Sequence, residues 1–91
     1  MATDTPVVGG LYRHFKGMYY VVTDIAEHSE TGEKHVVYRQ LYPPYKAWIR
    51  PLPMFMEPVD RQKYPDCPQD MRFELMPGRE GTPQYQMEEI I

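Results

Sequence analysis

Residues 28–33 read His-Ser-Glu-Thr-Gly-Glu, a base, two hydroxyls and two acids in one short run. Nucleophilic catalysis needs a hydroxyl about 3 Å from a base, with a third group orienting that base. Neighbouring residues of a strand point to opposite faces, so His28 and Ser29 pair poorly, and no glycine-rich oxyanion turn stands beside them. The same residues suit a hairpin tip, where Ser29 and Thr31 bond the turn backbone and Gly32 takes the left-handed conformation. A turn is therefore expected, with His28 and Glu30 kept as candidate site residues. The enzymatic alternative is a small hydrolase or transferase using His28 with Glu30 or Asp24 as an acid–base pair.

A zinc site would need three or four converging ligands. His14, His28 and His35 are spread over separate runs, and the lone Cys67 sits in a proline-rich stretch with nothing basic next to it to lower its thiol pKa. Neither a metal nor a cofactor is expected. The stronger signal is aromatic: eight tyrosines and one tryptophan exceed what a small core needs. Trp48 and Arg50 share one face by the period of two. A guanidinium beside an indole can take a carboxylate or phosphate while the ring stacks on a base or a proline. The bland competitor buries Trp48 in the core and pairs Arg50 with Asp24 or a backbone carbonyl.

The leading expectation is a non-enzymatic binding module with an aromatic groove. Its ligand would be a small anionic molecule, a peptide or single-stranded nucleic acid, held by Tyr12, His14, His28, Glu30, Tyr38, Trp48 and Arg50. A third reading is a dimerising accessory unit, pairing through an apolar C-terminus or an open edge strand.

These residues sit on short elements. Leu11–Phe15 and Met18–Ala26 are rich in aromatic and β-branched residues and flank Lys16-Gly17, a tight hairpin signal. A two-residue loop there sets Arg13 opposite Tyr20 and Leu11 opposite Val22. A second run, Lys34–Tyr42, returns after a loop at Glu30–Glu33, with Asp24 opposite Arg39 and His28 opposite His35. This register puts Leu11, Phe15, Met18, Tyr20, Val22, Ala26, Val37 and Leu41 on the core face. Ala47–Arg50 is a strand stopped by Pro51, Leu52–Phe55 is one helical turn, and Met56–Asp70 is a long loop. Arg72–Met76 is a last strand.

Of ten prolines, nine lie after residue 42, so regular structure should be continuous early and broken late. The fold expected is mainly β, a small five-stranded antiparallel SH3-like barrel with one short helical turn, since closure removes sheet edges. Residues 1–8 read as a flexible lead-in, 9–76 as the single domain and 77–91 as an acidic extension.

Length and charge agree with one small domain. At 91 residues and net charge −3, the chain has one core and lacks the basic stripe that tracks a phosphate backbone. Residues 54–91 carry four Lys/Arg against eight Asp/Glu. No apolar run approaches the roughly 18 residues of a membrane span. The N-terminus has neither the basic nor the apolar region of a signal peptide, and a single cysteine suits a reducing compartment, so the expected location is cytoplasmic.

Three clusters in order carry a resemblance: Gly10-x-Tyr12-x-His14-x-Lys16-Gly17, then His28-Ser29-Glu30-Thr31, then Trp48-x-Arg50-Pro51 followed by Met54-Phe55. Together they resemble the small bacterial family known as domain of unknown function sixteen fifty-three, over roughly residues 9–75. The chain differs in Ile49, where valine is usual, and in its acidic extension. The resemblance implies a compact, mostly β domain and implies no activity.

Overall fold

The structure, a computed structural model, describes residues 5–77, so all of the expected acidic extension except Pro77 lies outside the described residues. Five strands form one antiparallel sheet: β1 (Leu11–His14), β2 (Tyr19–Glu27), β3 (Lys34–Gln40), β4 (Ala47–Pro51) and β5 (Phe73–Leu75). Their order across the sheet is β4-β3-β2-β1-β5, and one short helix, α1 (Leu52–Phe55), follows β4. Strands β4 and β5 are the two ends of the sheet and do not pair with each other, so the expected closure into an SH3-like barrel is absent. The chain between them carries Pro53, Pro58, Pro65 and Pro68, which cannot donate to a ladder. It lies over one face of the sheet instead of extending it, with Phe55 and Val59 buried beneath.

Two local features shift the expected registers. The first hairpin closes with a three-residue loop, Phe15-Lys16-Gly17: the His14 amide donates to the Met18 carbonyl at 2.7 Å, and Gly17 has φ +103°. Tyr12 therefore faces Tyr20, and Arg13 faces Tyr19. The second hairpin turns over His28–Glu33, with Glu27 paired to Lys34 and Ala26 to His35. The expected His28–His35 and Asp24–Arg39 pairs do not form: Asp24 lies opposite Val37 and Arg39 opposite Val21. Between Val22 and Asp24 the ladder shifts by a bulge at Thr23, whose hydroxyl donates to the Val37 carbonyl at 3.1 Å. The bulge changes the parity of β2, so Val22 and Ile25 both fall on the face that carries Val36 and Tyr38.

The core is consequently drawn from both faces of the expected register: Tyr20 and Val22 lie in it as expected, but Tyr12, Val36 and Tyr38 join them in place of Leu11, Val37 and Leu41. Tyr12, Tyr20, Val22, Val36, Tyr38, Phe55 and Phe73 are buried together, while Leu11, Val37 and Leu41 are only partly covered on the opposite face. Phe55 stacks on Phe73 with centroids 4.2 Å apart and planes 6° from parallel, and meets Tyr12 and Tyr38 edge-on. Burial of so many rings works because each tyrosine sends its hydroxyl to a partner. Tyr12 accepts from the Val7 amide at 2.8 Å, which also fastens the segment before β1.

The loop from residue 56 to 72 is held from beneath by a buried glutamine. The Gln69 Nε2 group donates to the Arg13 and Met71 carbonyls at 2.9 Å and lies 3.4 Å from that of Arg72. Losing a buried amide that serves several backbone acceptors costs about 1–3 kcal/mol. We therefore expect Gln69→Leu to lower the unfolding free energy by that amount, read from the denaturant midpoint, and to speed amide exchange at Val59 and Arg72, whose backbone bonds close the loop. Unchanged exchange at those amides would show that Gln69 does not hold the loop. Among the described residues no helix is long and apolar enough to cross a membrane, and no three His, Cys, Asp or Glu side chains converge as metal ligands would.

Candidate functional site

Strands β3 and β4 pair with Tyr38 opposite Trp48 and Val36 opposite Arg50. Trp48 and Arg50 therefore point to the core face, but at its rim, where the covering layer ends. There they border a cleft of about 220 Å³. Every strand contributes to its wall: His14 from β1, Tyr20 from β2, Tyr38 and Gln40 from β3, Trp48 and Arg50 from β4, and Phe73 from β5, with Tyr42 just after β3. Alternation along each strand brings these side chains to one surface. The pairings then set them side by side.

The polar atoms of the wall form a directed set. Trp48 Nε1 donates to Gln40 Oε1 at 2.7 Å and Gln40 Nε2 donates to the Tyr42 carbonyl at 3.1 Å, which fixes the indole while leaving it 45% exposed. The hydroxyls of Tyr20 and Tyr42 are 2.7 Å apart. Burial, reinforced by that bond, pushes the Tyr20 hydroxyl well above the usual tyrosine range, so it stays protonated. Arg50 Nε donates to the Tyr38 hydroxyl at 3.3 Å, which leaves the proton of that hydroxyl free to be donated. Arg50 has no carboxylate partner among the described residues, whose ion pairs are Lys34–Glu27, His35–Glu33, Arg61–Asp70 and Arg72–Glu57.

His14 also lines the cleft. Burial, together with the charges of Arg72, Lys16 and Arg50, holds its pKa down to about 4, so the ring is neutral at pH 7. Its Nδ1 accepts the Lys16 amide at 3.1 Å, and the single proton of the neutral ring therefore resides on Nε2. A histidine whose folded pKa lies below its unfolded value supports the fold fully above the unfolded pKa, near 6.5. That support fades as pH falls from there towards 4. For this half-buried ring the loss is on the order of 2 kcal/mol once solvent screening is included. Wild type and His14→Gln compared by denaturant midpoint should converge as pH drops through that window. Parallel curves would remove His14 from the acid response.

Of the seven residues expected to bind a ligand, His14, Tyr38, Trp48 and Arg50 line this cleft. Tyr12 lies in the core, where its ring meets Phe55 edge-on at 5.5 Å. His28 and Glu30 sit at the exposed tip of the β2–β3 hairpin. There His28 Nδ1 accepts the amides of Glu30 at 3.2 Å and Thr31 at 3.3 Å, a turn cap rather than a catalytic pair. The left-handed Gly32, at φ +75°, completes that turn. Tyr20, Gln40, Tyr42 and Phe73 complete the cleft wall without having been expected there. The period of two that runs from Tyr38 through Gln40 to Tyr42 is the one local signal that pointed to any of them.

A family model described as "Protein of unknown function (DUF1653)" matches residues 10–75. Among solved structures, a crystal structure of a protein belonging to that same family from Bordetella bronchiseptica is similar, with 32% sequence identity and a TM-score of 0.60. The likeness covers 75% of this chain and 85% of the Bordetella chain. No curated protein matches.

Proposed function

The chain belongs to the family of proteins of unknown function DUF1653, and from its cleft we propose a non-enzymatic module that binds a small anionic ligand with a flat apolar portion. Arg50 carries this reading. A half-buried guanidinium with no carboxylate partner among the described residues is costly to hold unless a ligand anion completes it. Arg50 lines a cleft that also holds two unspent donors, the His14 Nε2–H and the Tyr38 hydroxyl. Fork-like donors of this kind suit a carboxylate or a phosphate. Trp48 and Tyr42 supply the flat apolar surface beside them. We read residues 9–76 as the module, and the single thiol of Cys67 suits a cytoplasmic setting.

The test is an amide and indole proton–nitrogen correlation spectrum, titrated with phosphate, acetate and citrate. Shifts should concentrate on the Trp48 indole, Arg50 and the neighbours of His14 and leave residues 28–31 unmoved. A well-folded sample in which no anion moves those signals at millimolar concentration would end this reading. Shifts centred on His28 would turn attention to the enzymatic alternative.

A further inference from the structure

The cleft does not stand alone. A second depression, of about 410 Å³, is lined in part by the same two side chains, His14 and Arg50, so the two share a wall. Their characters differ. The first is framed by rings: Trp48, Tyr42, Tyr20 and Phe73. The second gathers Lys16, Lys63 and Arg72 with Arg50, against the acids Glu57 and Asp60. Glu57 is already taken by Arg72 at 2.7 Å, and an oxygen of Asp60 accepts the Gln62 amide at 3.0 Å. Among the described residues, Lys16, Lys63 and Arg50 are therefore left as a cationic cluster facing one acid. The Lys16 ammonium is 5.9 Å from the ring centres of both Phe15 and Tyr64, which holds its charge near the depression.

A ligand matching both halves needs a flat ring at one end, several negative charges at the other, and a polar link passing Arg50 and His14. At about 220 Å³ the aromatic cleft is below the roughly 300–1,000 Å³ of a drug-sized pocket, so it suits a ring and not a whole molecule. We propose that the joined depressions form a two-part site for a free nucleoside diphosphate, with the base against Trp48 and Tyr42 and the phosphates towards Arg50, Lys16 and Lys63. This rests on the anion-binding reading above and narrows it to a chemical class. His14 and Arg50, which line both depressions, stand at the junction, where sugar hydroxyls or the first phosphate would pass. A free nucleotide fits better than a strand. The cationic side chains are clustered rather than strung out, and the chain as a whole carries −3 with acid concentrated after residue 53.

Trp48 is the single tryptophan of the chain, so its fluorescence reports the base subsite directly. The experiment titrates the full chain with adenosine diphosphate, adenosine monophosphate, pyrophosphate, adenosine and a short single-stranded oligoadenylate, by fluorescence and by calorimetry. Base stacking on an indole should make adenosine diphosphate quench Trp48 and bind about tenfold more tightly than pyrophosphate. Lys16→Ala with Lys63→Ala should erase the advantage of the diphosphate over the monophosphate, and Trp48→Leu should erase its advantage over pyrophosphate. Pyrophosphate binding as tightly as the diphosphate would overturn the two-part site while leaving the anion reading intact. A diphosphate affinity indifferent to both lysines would do the same. Oligoadenylate binding more tightly per strand than the free diphosphate would assign the site to single-stranded nucleic acid. Silence from all five probes would overturn the two-part site, and silence from phosphate, acetate and citrate as well would overturn both readings.

Discussion

Phe55→Ala should remove about 3–5 kcal/mol of stability and lower the melting temperature by more than about ten degrees. Phe55 is 1% exposed and is the point where α1 meets the sheet, stacked on Phe73 and edge-on to Tyr12 and Tyr38. Removing a fully buried phenyl ring costs about 3–5 kcal/mol, because the lost burial is joined by the cavity left behind. A domain of this size has only about 5–10 kcal/mol of stability in total. The covering layer has few other anchors, Val59 being the remaining buried apolar residue in the loop. Circular dichroism melts and denaturant curves would measure the loss. Phe55→Leu, which keeps most of the volume, should cost less than half as much. Near-equal losses for the two variants would mean that ring stacking, and not filled volume, is what Phe55 contributes.

Arg50→Gln should abolish anion binding while leaving the denaturant midpoint close to wild type. A charge-assisted bond to a ligand is worth about 1.5–3 kcal/mol, and a bidentate contact adds a second. The affinity lost is then on the order of a hundredfold or more. The fold should tolerate the change because, among the described residues, the Arg50 side chain makes one hydrogen bond, to the Tyr38 hydroxyl, which a glutamine amide can also reach. Relief of an uncompensated half-buried charge offsets part of that loss. Calorimetry against phosphate, paired with denaturant titration, separates the two effects. Full affinity in Arg50→Gln would remove the guanidinium from the site. A midpoint that collapses together with binding would mean that Arg50 serves the fold instead.

Much of this organisation was legible in the residues themselves. The strands, their order along the chain and the helical turn at Leu52–Phe55 follow from aromatic and β-branched runs cut by glycine and proline. The common face of Trp48 and Arg50 follows from alternation alone. What the residues did not reveal is register. A three-residue loop at Gly17 and a two-residue loop read alike, yet the choice moves every partner of β1 by one position. The Thr23 bulge carries no local mark, and it decides that Val36 and not Val37 is buried. Chemistry-bearing residues also misdirect: His28 and Glu30 stand out in the chain but end at a solvated turn. Tyr20 and Phe73 look like ordinary core residues until β1 brings β2 and β5 to either side of His14. Sheet closure failed as an expectation because the β4–β5 connection is too rich in proline to extend a ladder, so it packs over the face.

A wall assembled from all five strands has a thermodynamic consequence. No hairpin or half-sheet contains the cleft, so a ligand gripping it binds only the completely folded chain and has nothing to hold once β4 frays or β5 detaches. Occupancy is then linked to global unfolding alone, and a ligand at a hundred times its Kd would add about 2.7 kcal/mol to stability. For a domain this small that is a rise in melting temperature of roughly ten degrees or more. The protein is in effect its own sensor: a library of metabolites can be searched by heating alone.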